Sequence, residues 1–148
     1  MRYTTFAIPA SVFAQPELAA LHSPDLEADP PRDGVIRVRG YLDTGTRLEI
    51  EEALEHAEIP FDRFRVDDGT GDDDTGDRRM FRPAAPGREP QDLDLAVSAH
   101  DAVVFFLDDW DRVATTPGGP ITRAQVEQFL GLTVPPLAIW LRDHPVTP

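Results

Sequence analysis

The chain reads as an α+β domain, a small mixed β-sheet packed with short helices. Three observations carry that expectation: stretches of period-2 alternation interleave with stretches of helical period, 15 prolines cut the 148 residues into short elements, and one continuous apolar run, 102–107, has the composition of a sheet centre. A chain of 148 residues buries about 70% of its unfolded surface in one compact unit, so a single domain over 1–148 is expected to fold without disulfides or a structural metal.

Arg2 to Ile8 alternates loosely and Pro9 closes it, which predicts a strand over 2–8. Pro16-Glu17 opens a short helix over 16–22, where proline in the first turn sacrifices no helical hydrogen bond. Residues 23–33 read as irregular. Strand 34–42 follows, with Ile36, Val38 and Leu42 on one face and Arg37 and Arg39 alternating with them. After the turn Asp43-Thr44-Gly45, the capping-box spacing of Thr46-Arg47-Leu48-Glu49 starts a helix over 46–58. Its apolar positions Ile50, Ala53, Leu54 and Ala57 recur at i, i+3, i+4, i+7, which leaves Glu51, Glu55 and Glu58 as an acidic stripe expected to face water. Pro60 ends the helix and Phe61 to Val66 alternates as a strand. Strand, helix, strand over 34–66 predicts two parallel strands side by side.

Residues 67–77 hold no apolar side chain and are expected to form an exposed acidic loop. A short strand over 79–82, an irregular segment over 83–92 and a central strand over 102–107 come next. Thr122-Arg123-Ala124-Gln125 is a second capping box, with Ile121 and Val126 placed as a hydrophobic staple, and it predicts a helix over 122–130 capped by Gly131. Pro136 to Arg142 forms a last short helix over 136–142.

Charge sets the functional classes. Against 27 acids stand 14 arginines and no lysine, a net charge of −13, which disfavours nucleic acid and anionic membrane as partners. The same acidity is also a mark of a GC-rich or salt-adapted genome. Without cysteine there is no thiol catalysis, thiolate zinc site or iron–sulfur cluster, and without lysine no phosphate-loop lysine or Schiff base. The mildly apolar stretch 3–14 is read as an uncleaved strand, and no apolar run approaches the ~20 residues of a membrane span, so cytoplasm is the expected address.

The chemistry-bearing residues are sparse. His22, His56, His100 and His144 show no metal-ligand spacing, and Ser11, Ser23 and Ser98 sit in no nucleophile turn, so no metal, cofactor or catalytic residue is expected. Asp72, Asp73, Asp74 and Asp77 are hard oxygen ligands, but Gly76 and Pro83 fall where a calcium loop needs other residues. Asp108 and Asp109, closing the apolar run, support an alternative reading as a small enzyme or metal-binding protein. Thr122, Gln125, Leu130-Gly131, Leu137 and Trp140 make residues 121–142 resemble a helix-turn-helix, a resemblance confined to 22 of 148 residues that implies a DNA-binding regulator. Glu127 stands where that motif has a small residue, Pro135-Pro136 begins its second helix, and residues 121–148 sum to zero charge, so phosphate contacts are few.

What outnumbers everything else is carboxylate, in patches at 49–58, 67–77 and 108–111. The expected function is therefore non-enzymatic: an acidic partner-binding or inhibitory protein presenting a DNA-mimicking surface to a basic, nucleic-acid-binding protein. The residues expected to carry it are Glu51, Glu55, Glu58, Asp67, Asp68, Asp72, Asp73, Asp74, Asp108, Asp109 and Asp111, provided that they share one face.

Overall fold

The computed structural model describes residues 2–66, 75–98, 112–116, 118–130 and 133–148. It is an α+β fold built on one six-stranded sheet: β1 (Arg2–Pro9), β2 (Leu26–Ala28), β3 (Val35–Leu42), β4 (Phe61–Val66), β5 (Thr75–Arg82) and β6 (Gln91–Ser98), in the order β2-β3-β1-β4-β5-β6. Every neighbouring pair is antiparallel. The expected strands 102–107 lie outside the described residues.

The strand–helix–strand unit over 34–66 forms, but its two strands are not neighbours. β1 lies between them, with Phe6 opposite both Val38 and Arg63, so β3 and β4 run parallel across an antiparallel strand. The physical reason is the hydrophobic pattern of β1. Phe6 and Ile8 are fully buried, and only a central position covers them from both sides.

α1 (Thr44–His56) crosses one face of this sheet. Asp43, not Thr46, caps it: Asp43 Oδ1 accepts from the Thr46 amide at 3.0 Å and Oδ2 from the Thr46 hydroxyl at 2.7 Å. These bonds hold the Asp43 carboxyl below its usual value. The helix closes two residues before the expected Glu58, which takes φ +52 while the Glu58 amide donates to Glu55 and the Ile59 amide to Leu54. Ile50 and Leu54 point into the core against Phe6, Ile8, Ile36, Val38, Leu42 and Phe61, each such side chain contributing about 1.5–3 kcal/mol on burial.

The helix expected over 16–22 is a 3-10 turn (Pro16–His22), kinked at Leu18, that buries Leu18 and Leu21 beside α1. α2 (Arg123–Phe129) carries the expected capping box of Thr122 and Gln125, and α3 (Leu137–Asp143) buries Leu137 and Trp140. On the sheet face opposite α1, Val134 joins Met80 and Leu95 in a second apolar cluster.

Three segments expected to be irregular contain strand. β2 sits inside 23–33, β6 begins at Gln91 inside 83–92, and β5 starts at Thr75 inside 67–77. β2 has no pattern of its own and depends on its neighbour: a Cβ on Gly40 would stand 2.3 Å from the Asp25 carbonyl. Gly40→Ala is therefore expected to cost about 1–3 kcal/mol by prising β2 from β3, read as a lower urea midpoint and as faster amide exchange confined to 26–28.

Candidate functional site

The sheet changes character from centre to edge. On the face under α1, apolar Phe6 and Phe61 give way along β4, β5 and β6 to Arg63, Arg65, Asp77, Arg79, Asp92 and Asp94. A seam of alternating guanidinium and carboxylate groups results.

Glu51 is its centre. At 3% exposure it is buried rather than facing water, which corrects the expected stripe. Its Oε1 takes Arg47 Nη1, one helical turn back, and lies 3.0 Å from Arg63 Nε, while its Oε2 accepts from Arg79 Nη1 at 2.8 Å. The helical period alone put residue 51 outside the apolar stripe. Arg63 and Arg79, which arrive from β4 and β5, draw it inward because each cation beneath the helix needs an anion.

Arg63 is 2% exposed and also meets Asp77 and, at 3.4 Å, Asp94. Burial pulls its pKa below the usual arginine value, with Glu51 and Asp94 opposing. Arg79 forms a two-pronged bond to Asp92, at 2.9 and 2.6 Å, reaches Glu55 at 2.7 Å and lies over the Phe61 ring at 5.6 Å. The bonds to Asp92 first, then those to Glu55 and Glu51, raise its pKa against the cost of burial. Arg65 holds Asp77 through Nε at 2.7 Å and through Nη2.

The seam fixes carboxylates as acceptors. Glu51, bound by three guanidinium groups, is committed to them, whereas Glu55, Asp92 and Asp94 turn their outer sides to solvent, with 37%, 48% and 62% of each side chain exposed. Glu58 is exposed beyond the helix end. Asp92 and Asp94 escape sequence reasoning, and Asp77 reads there as a loop residue, because their partners are on other strands. The alternation of Asp92 and Asp94 with Leu93, Leu95 and Val97 was the available signal.

Asp67, Asp68, Asp72, Asp73, Asp74, Asp108, Asp109 and Asp111 lie outside the described residues, as does Gly131 of the helix-turn-helix-like segment. The points where the chain leaves for the two acidic stretches are described. β4 ends at Val66, β5 begins at Thr75 and β6 ends at Ser98; Thr75 pairs with Ser98 and Val66 with Gly76, so all three lie at one end of the sheet on adjacent strands. Residues 67–74 and 99–111 hold nine of the 27 acids and none of the 14 arginines.

Among the described residues no cluster of three or more His, Asp or Glu side chains could hold a metal ion, and no helix is long and apolar enough to cross a membrane. No family model, curated protein or solved structure matches the chain.

Proposed function

We propose that the chain is a binding protein that recognises a basic protein partner through carboxylates gathered at the β4–β5–β6 end of its sheet. One observation carries the reading: two acidic stretches that hold no arginine, 67–74 and 99–111, are tethered at that one end, at Val66, Thr75 and Ser98. Strands lie ~4.8 Å apart, so tethers on β4 and β6 are ~10 Å apart, about one Debye length at physiological salt. Tethers that close would let the carboxylates of both stretches contribute to one field. Five of the 14 arginines, Arg47, Arg63, Arg65, Arg79 and Arg82, already bind carboxylates within the fold.

Dense negative charge with little neutralisation is what a nucleic-acid-binding groove recognises in a duplex, which carries one charge per ~1.7 Å. The favoured partner is therefore a protein with such a groove, which this chain would occupy in place of nucleic acid.

The test passes the heparin-retained protein fraction of the source cell over immobilised chain and over its Asp72→Asn/Asp73→Asn/Asp74→Asn variant. Captured proteins should elute as salt rises from 50 to 200 mM, and the variant should retain them at least tenfold less well. Equal retention by both chains, or retention indifferent to salt, removes the proposal.

A further inference from the structure

We infer that a basic segment of the partner adds to the sheet as a further strand, along the outer side of β6. The inference rests on the partner being a basic protein and names how part of that protein is held. β6 is eight residues long, Gln91–Ser98, and pairs with β5 alone among the described residues. Beyond that ladder, the backbone of 91–97 makes no hydrogen bond to any described residue. Alternate residues of an edge strand turn their N–H and C=O groups outward, so this side offers a row of donors and acceptors that no described strand matches. The opposite edge, β2, has three residues and makes a poor template.

Side chains decide what can occupy that edge. On the α1 face β6 shows Asp92, Asp94 and Ala96, all exposed, and on the other face Leu93, Leu95 and Val97. Asp92 is already held by two bonds from Arg79, whereas Asp94 has one contact, Arg63 at 3.4 Å, and 62% of its side chain is exposed. Asp94 is therefore the carboxylate with the most capacity left. A strand laid ~4.8 Å from β6 sets the residue opposite Asp94 about 5 Å away, within reach as an arginine or lysine. The alternate, apolar residues of that strand would lie beside half-buried Leu93. A second copy of the chain fits badly, since antiparallel pairing centred on residue 93 or 94 sets Asp94 against Asp92 or Asp94 of the other copy. With no basic residue on β6 and a net charge of −13, the edge selects a cationic strand.

The test titrates a capped octapeptide of alternating arginine and valine into the intact chain and follows the backbone amide resonances. Saturable shifts centred on 91–97 are expected, with slowed exchange at every second amide of β6. Asp94→Asn should weaken binding by about threefold. Of two peptides N-methylated at the arginines or at the valines, one should lose about tenfold and the other far less, because only one set of N–H groups faces β6. The Asp72→Asn/Asp73→Asn/Asp74→Asn variant should keep the β6 shifts. Shifts confined to other residues, equal losses from both methylated peptides, or unchanged binding by Asp94→Asn would overturn the inference. Capture of basic proteins by a chain whose β6 does not respond would overturn strand addition alone, and β6 shifts in a chain that captures no basic protein would overturn the proposed function alone.

Discussion

Glu51→Ala is expected to lower the unfolding free energy by about 3–5 kcal/mol and Tm by about 10 °C or more. The size of the effect follows from what is left behind. Arg63, 2% exposed, and Arg79 would keep their charges beneath α1 while losing the acceptor that each shares. Forming such a buried network gains little over an apolar core, because desolvation offsets the attraction, but removing one partner exposes the full desolvation penalty. Glu55→Ala supplies the contrast. It meets the same Arg79, yet its side chain is 37% exposed and Arg79 retains Asp92, so the loss should stay under about 1 kcal/mol. Glu51→Gln, which keeps one acceptor oxygen, should fall between them. Urea denaturation of the three variants decides the matter, and a Glu51→Ala cost no larger than that of Glu55→Ala would show that the seam does not bear on stability.

Elements whose pattern is local were legible in the sequence. β1, β3 and β4 alternate visibly, α1 has its apolar stripe, and Thr122 with Gln125 declares the start of α2. Their arrangement was less legible. Nothing within 34–66 indicates that β1 inserts between β3 and β4, because that placement follows from how the buried face of a distant strand is flanked. β2 is invisible for a related reason: three residues, Leu-Glu-Ala, become a strand only where Gly40 lets the chain approach β3.

The seam was illegible for an electrostatic reason. Periodicity sorts residues by polarity and assigns every charge to water, so a carboxylate that must enter the interior to meet two arginines looks like any surface glutamate. Glu51 and Glu55 are four residues apart with the same side chain and share Arg79, but Glu51 also meets Arg47 and Arg63, the latter reaching from β4, and it is the buried one. The composition of 67–77 misled in the same way. Asp77 resembles its neighbours in sequence but belongs to a strand, held by Arg63 and Arg65 opposite it. The shared tethering end of the acidic stretches required strand order, which no single-segment pattern contains.

Arg82→Met is expected to cost about 3–5 kcal/mol at pH 7 and distinctly less at pH 4. Arg82 is buried on the face opposite α1, where its Nη1 donates to the carbonyls of Phe61 and Phe81 at 3.0 and 2.9 Å. Its Nη2 donates to Pro135 at 3.0 Å and meets Asp62 Oδ1 at 2.7 Å, so one side chain joins β4, β5 and the segment leading into α3. Methionine fills comparable space but supplies no donor. The pH dependence comes from Asp62, whose side chain is partly exposed but whose Oδ1 is buried. Burial raises its pKa above the ordinary 3.8, and Arg82 is the main opposing influence. A group with a raised folded pKa contributes its stability fully below the unfolded value and loses it as pH rises through the folded value. Without Arg82 that folded value climbs further, so the loss on going from pH 4 to pH 7 deepens. Urea denaturation at both pH values measures it, and Asp62→Asn/Arg82→Met should flatten the difference. A cost for Arg82→Met that is the same at pH 4 and pH 7 would assign the whole effect to the abandoned carbonyls and leave Asp62 without a part in it.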